Sequence, residues 1–175
     1  MIGSFAIRRA GPDLEMVPAL ASLLVDCVEA GASVGFLLPL DRTRAEAFWT
    51  RVLESMSRGE RIVLAAEEAG SGAVLGTVQV VLAMAENQPH RCDVAKLLVS
   101  PRARRRGLGE ALMLAAEAAA LEAGRTLLVL DTAGDEAERL YRRLGWREAG
   151  RVPRFALWPS GEPCATTFFY KDLAG

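Results

Sequence analysis

The stretch from Val94 to Gly124 restricts this chain more than any other. An apolar strand-like run, Val94 to Val99, is stopped by Pro101, and Arg104-Arg105-Arg106-Gly107-Leu108-Gly109 then opens a long alanine-rich helix over about 107–123, closed by Gly124. A strand that turns through glycines into a helix aims several backbone N–H groups outward from the helix N-terminus, where the dipole also favours negative charge. Glycine removes side chains that would hold a ligand's oxygens off the backbone, and the arginines add charge beside it. The turn predicts a site for a phosphate-rich ligand, on a fold that sets a strand end against a helix start.

The rest of the chain fits an α/β layer arrangement. Residues 4–9 alternate weakly as a first strand, Gly11-Pro12-Asp13 punctuates, and a helix follows with Pro18 at an early position. Its apolar face holds Leu20, Leu23, Leu24, Cys27 and Val28, and Gly31 terminates it. Residues 31–41 are glycine-rich yet apolar, a composition that suits a loop packed over something. A second helix covers about 42–57, with Ala45, Phe48, Trp49, Val52 and Leu53 at helical spacing. Residues 61–67 and 73–84 read as a hairpin about Gly70-Ser71-Gly72, and Leu127-Leu128-Val129-Leu130 as a strand buried on both faces. Asp135 is placed to cap a helix over 136–144 ended by Gly145, and strands near 146–150 and 165–171 finish the order βααβββαβαββ. A mixed, mostly antiparallel sheet of about seven strands with helices on both faces is expected.

Composition removes several function classes. A length of 175 residues with 51% hydrophobic content fits one domain, 1–175, around a sizeable core. Lys+Arg at 21 against Asp+Glu at 22 gives no global basic field, which argues against nucleic acid. Cys27, Cys92 and Cys164 have neither paired nor metal-type spacing, and His90 is the single histidine, so no metal site is expected. Free thiols, the absence of a signal-peptide pattern after Met1 and the lack of a spanning apolar stretch point to a soluble cytoplasmic protein with no membrane partner.

On these residues the chain resembles the GCN5-related N-acetyltransferase (GNAT) superfamily over nearly its whole length. The resemblance is strongest from Lys96 through Gly109 and over Ala137-Glu138-Arg139-Leu140-Tyr141-Arg142-Arg143-Leu144-Gly145-Trp146. Arg104, Gly107 and Gly109 occupy the defining positions of the family's Arg/Gln-x-x-Gly-x-Gly/Ala loop, which implies that Arg104, Arg105, Arg106, Gly107, Leu108, Gly109 and Glu110 hold the pyrophosphate of acetyl-CoA. Gly31-Ala32-Ser33-Val34-Gly35-Phe36 and Leu130-Asp131-Thr132 look like segments of tabtoxin-resistance-type acetyltransferases, which implies a small amino-acid-like or β-lactam toxin as acceptor and a resistance role. A small-molecule amine partner follows, and a homodimer is a family-level expectation. Where many members carry an asparagine seven residues before the tyrosine, this chain has Gly134.

Acetyl transfer from a thioester needs an amine stripped of its proton, N–H donors for the developing oxyanion, and a proton for the leaving thiolate. The resemblance assigns backbone groups of Leu98 and Val99 to the cofactor arm, with the Val99 N–H as oxyanion donor, and Tyr141 as general acid. The alternative for Tyr141 is an aromatic packing its helix on the sheet. Asp93 sits six residues before Val99, where members often place a glutamate, and strand alternation puts Asp93, Ala95, Leu97 and Val99 on one face. Asp131 ends the buried strand on the side of the sheet where ligands bind. The two aspartates are candidates for a water-relayed base or an ammonium clamp; a solvated strand end and a turn or capping carboxylate are their ordinary alternatives. Ser33 and Phe36 are candidate acceptor contacts in the apolar loop. No cysteine has a nucleophile setting, so transfer is expected to be direct. The competing readings are a protein or peptide N-terminal acetyltransferase and a non-catalytic acyl-CoA-binding module.

Overall fold

The computed structural model describes residues 4–12 and 14–174. Asp13 of the first turn lies outside the described residues. The elements are β1 (Phe5–Arg9), α1 (Val17–Glu29) behind a 3-10 turn, α2 (Arg42–Ser57), β2 (Arg61–Glu68), β3 (Val74–Val81), β4 (Arg91–Val99), α3 (Leu108–Glu122), β5 (Leu127–Thr132), α4 (Asp135–Arg143), β6 (Arg147–Leu157) and β7 (Pro163–Asp172). The strands form one sheet in the order β1-β2-β3-β4-β5-β7-β6, in which β4 and β5 are the parallel pair. The expected order and mixed sheet are those observed.

Local chemistry sets the helix ends. Asp41 caps α2, its carboxylate accepting the Arg44 N–H at 2.8 Å. Gly107 takes φ +80° at the start of α3, and Gly124 and Gly145 take φ +74° and +81° just beyond α3 and α4. Asp135 does not cap α4. It is the first helical residue, the capping position belongs to Gly134, and the Gly134 N–H donates to Thr132 Oγ1 at 3.3 Å. Three carboxylates in the first turn of α4 and two arginines in its last complement the helix dipole.

Each face of the sheet has its own core. Leu20, Leu24 and Trp49 of α1 and α2 pack on Val63, Ala65 and Leu98. On the other face Leu112, Met113, Ala116 and Ala120 of α3 pack on Val78, Val94 and Leu128, joined by Tyr141 and Phe169. Small alanines let α3 lie close to the strands.

Two irregularities of β4 shape the site. Its pairing with β5 covers only Arg91, Cys92 and Asp93, so beyond Asp93–Val129 the two strands part. Opposite Val78 of β3 the register slips by one, and Lys96 takes φ +54° there, a β-bulge. The extra residue inverts the alternation. Cys92 and Val94 face the α3 core before it, and Leu97 and Val99 face that core after it, with Leu98 on the opposite side. Asp93 therefore does not share a face with Val99, contrary to uniform alternation. Among the described residues no helix is long and apolar enough to cross a membrane.

Candidate active site

The parting of β4 and β5 opens a cleft of about 900 Å³. One wall is β4 from Val94 to Val99, and the facing wall is the end of β5 with Thr132, Ala133 and Gly134. The start of α3 and one side of α4 close one end, while residues 30–35, Phe155 and Trp158 close the other.

The arginine-glycine turn lies at the α3 end. Arg104, Arg105, Gly107, Leu108, Gly109 and Glu110 all line the cleft, whereas Arg106 is not among the lining residues. Arg105 at φ +59° and Gly107 at φ +80° alternate left-handed backbone through the loop, a shape that gathers N–H groups into a concavity for anions. No atom lies within 4 Å of where a Gly107 Cβ would stand, so the approach is open. Gly109 serves a different end, because a Cβ there would stand 3.2 Å from Leu140 Cδ2 and so meet α4 rather than a ligand. The Leu108 side chain is core, which leaves its backbone to the cleft. Glu110 pairs with Arg143 at 3.2 Å, and both Arg139 and Arg143 join the lining. Sequence reading missed these two arginines as site residues; their one-turn spacing on a helix that follows the buried strand was the available signal.

Backbone direction along β4 follows from two contacts. The Ser100 N–H donates to Leu75 O on β3 at 2.8 Å, so strand alternation turns the Val99 N–H to the opposite edge, toward the cleft. The Leu98 carbonyl points at β3, 2.8 Å from where a Gly76 Cβ would be, while Leu98, like Leu97 and Val99, is a lining residue of the cleft. The Val99 carbonyl accepts the Cys27 thiol at 3.5 Å.

Tyr141 and Asp131 reach the cleft from opposite faces of the sheet. Tyr141 belongs to the α3 core, its ring 5.7 Å from Phe169 and 6.1 Å from Trp146 between centroids, and its edge lines the cleft. Burial, with a smaller push from Asp131, raises its hydroxyl pKa far above the ordinary range. Asp131 lines the cleft, and burial raises its carboxyl pKa, opposed by Lys96 and reinforced by Asp93. Asp93 is not a lining residue; Arg91 holds its carboxylate at 2.5 Å.

The apolar loop closes the far end. Ser33 lines the cleft, with Oγ 3.9 Å from Cys164 Sγ, and the Leu38 N–H donates to Pro159 O at 3.0 Å, which ties this loop to the β6–β7 turn. Phe36 is not at the cleft wall. It packs edge-on against Phe48 at 5.2 Å, a core contact of α2. Lys96, which sequence reading passed over as part of an apolar run, lies in the lining; burial lowers its pKa, with Asp131 opposing and Arg61 adding. Among the described residues no cluster of His, Cys, Asp or Glu is suited to hold a metal ion.

Comparison with known proteins fits this geometry. The family model for the acetyltransferase (GNAT) domain matches residues 58–148, just over half the chain. The ribosomal-protein-alanine N-acetyltransferase of Brucella melitensis is 25% identical, with a TM-score of 0.81 over 96% of this chain and 99% of that one. The yncA protein of Salmonella typhimurium, whose structure carries its cofactor acetyl-CoA, is 20% identical with a TM-score of 0.81, over 98% of this chain and 95% of that one. An N-acetyltransferase from Staphylococcus aureus is 18% identical with a TM-score of 0.80, over 97% and 99% of the two chains. With a parted strand pair beside an arginine-glycine turn, and a family model spanning both, this chain belongs to the GNAT acetyltransferases, acyltransferases that use acetyl-CoA.

Proposed function

We propose that this enzyme moves the acetyl group of acetyl-CoA directly onto the primary amine of a small, amino-acid-like molecule in the cytoplasm. The observation that carries this reading is the cleft itself, with the arginine-glycine turn at one end and Tyr141 and Asp131 both lining it, Tyr141 from the α3 side of the sheet. Gly107 and Arg104 would hold the diphosphate with Arg105 beside them, and Arg139 and Arg143 add charge around it. The open approach at Gly107 fits a phosphate at that backbone.

Bound acetyl-CoA supplies an acetyl group activated as a thioester. The Val99 N–H is aimed to stabilise negative charge that develops on the acetyl oxygen. Tyr141 keeps its proton throughout the neutral range and gives it to the departing thiolate. Asp131 takes the ammonium group of the acceptor and passes its proton on through water, with Asp93 behind it raising its basicity. Burial pushes the Cys27 and Cys92 thiols each up to about 11, and the Cys164 side chain is buried as well, which supports direct transfer.

Ser33 and the tied loop make a compact far wall, which supports a small acceptor of the kind tabtoxin-resistance enzymes take. The likeness to the Brucella protein favours a second reading, acetylation of a protein N-terminus. The two separate by product mass after incubation with acetyl-CoA and either amino acids or peptides. Acetylated peptide with unmodified amino acids would sink the small-acceptor reading. A burst of CoA release without acceptor would sink direct transfer.

A further inference from the structure

The cleft holds one cation whose position the cofactor does not explain. Lys96 sits on the bulge of β4 in the left-handed conformation, φ +54°, which costs a residue with a Cβ on the order of 1 kcal/mol or more. A bulge alone would be easier to build with glycine or asparagine. The bend aims the lysine away from the arginine-glycine turn, toward α2 and the 31–35 loop. Its Nζ stands 5.9 Å from the centroid of the Phe48 ring and 3.6 Å from where a Gly35 Cβ would be. A cation over an aromatic face is held without being neutralised.

The charges around it do not cancel. Within 4 Å Lys96 forms no ion pair among the described residues, and neither does Asp131, although the two line the same cleft and feel each other's field. Asp93, the other nearby carboxylate, is occupied by Arg91 at 2.5 Å. Arg61, whose guanidinium donates to Gln79 Oε1, adds a second positive field to Lys96. Opposite charges that share a cleft without pairing leave room for a molecule carrying both signs. Burial disfavours the lysine's charge, and a bound anion would restore it.

We infer that Lys96 is an anion subsite that takes the carboxylate of a zwitterionic acceptor while Asp131 takes its ammonium group. This rests on the reading of the cleft as an amine acetyltransferase site, and it narrows the acceptor to α-amino acids and close analogues. The lysine acts on binding and orientation; it takes no proton from the amine.

The test pairs free amino acids (glycine, alanine, leucine, methionine and glutamate) with their α-carboxamides and follows thiol release from acetyl-CoA. Wild-type enzyme is expected to favour the acid of a pair by at least tenfold in kcat/KM, chiefly through KM. In Lys96→Met that preference falls to near unity, and Lys96→Arg keeps most of it. CoA titration calorimetry checks that each variant is folded, and Lys96→Gln replaces Lys96→Met if the latter does not bind CoA. Equal use of acids and amides by the wild type overturns the subsite, as does a preference that survives in the uncharged variant. If no amine is acetylated, the same pairs are titrated into CoA-saturated protein. Acid-selective binding lost in the variant then keeps the subsite and removes amine acetylation; no acid-selective binding removes both.

Discussion

Tyr141 has one hydroxyl and a buried ring, and the two facts together fit it to give a proton rather than take one. Burial among Trp146 and Phe169 makes the phenolate costly, so the hydroxyl stays protonated at working pH. Tyr141→Phe keeps the ring and removes the proton. Turnover is expected to fall at least tenfold, about 1.4 kcal/mol of barrier, with acetyl-CoA affinity by calorimetry nearly unchanged. Unchanged turnover would take Tyr141 out of the mechanism. Asp131 gives a pH signature. Its pKa is raised from 3.8, so the carboxylate proposed to take the amine's proton is lost at a higher pH than an ordinary aspartate would allow. The acid limb of kcat/KM is expected above the usual carboxylate range and is absent in Asp131→Asn. Lys96 opposes the rise, so Lys96→Met should move that limb to still higher pH; Asp93, whose charge adds to the rise, should move it down when changed to Asn. A limb that stays put in all three variants assigns the titration elsewhere.

At the scale of elements, what could be read from sequence divides by how local its cause is. The arginine-glycine turn, the ends of α3 and α4 at Gly124 and Gly145, and the pairing of Tyr141 with a short helix depend on residues a few positions apart, and all were legible. The bulge of β4 was not, because it exists only in register with Val78 of β3; without it, alternation placed Asp93 on the wrong face. Phe36 read as a pocket residue because its loop is apolar, yet Phe48, twelve positions on, claims its ring. The length of β6 was hidden because nearly every residue along it is exposed and its pairing with β7 shifts register twice. Gly76 is the instructive omission. It lies opposite Val99, and a Cβ there would stand 2.8 Å from the Leu98 carbonyl and 3.0 Å from Leu112 Cδ1. Only a bare backbone lets β3 press against the part of β4 that presents Val99 to the cleft. Gly76→Ala is expected to lower unfolding free energy by about 1–3 kcal/mol and to weaken acetyl-CoA binding, read by denaturant melts and calorimetry. Binding and stability both at wild-type values would show that β3 has room to give.

For the whole molecule, the decisive feature is a sheet covered on both faces and opened in the middle, so that the arginine-glycine turn and the apolar 31–35 loop approach one gap. Each layer carries a buried thiol that reports on it: Cys27 in the α1–α2 core and Cys92 in the α3 core. Burial raises both from 9.0 to about 11, with Arg104 pulling Cys27 back and Asp93 adding to the rise at Cys92. The folded chain keeps these protons where the unfolded chain has begun to lose them. These two thiols therefore leave stability unchanged well below pH 9 and lower it as pH rises from 9 toward 11, because the unfolded state then binds fewer protons than the native state. Above pH 10 the raised Tyr141 hydroxyl adds to the decline in the same sense. Each thiol accounts for a loss on the order of 2 kcal/mol across that window. Urea unfolding at pH 8 and pH 10.5 measures the decline, and Cys27→Ala and Cys92→Ala should each flatten it by a similar share if both layers unfold together. If only one substitution flattens the slope, the other layer has already loosened around its thiol, and the two halves of the cleft are held with unequal firmness.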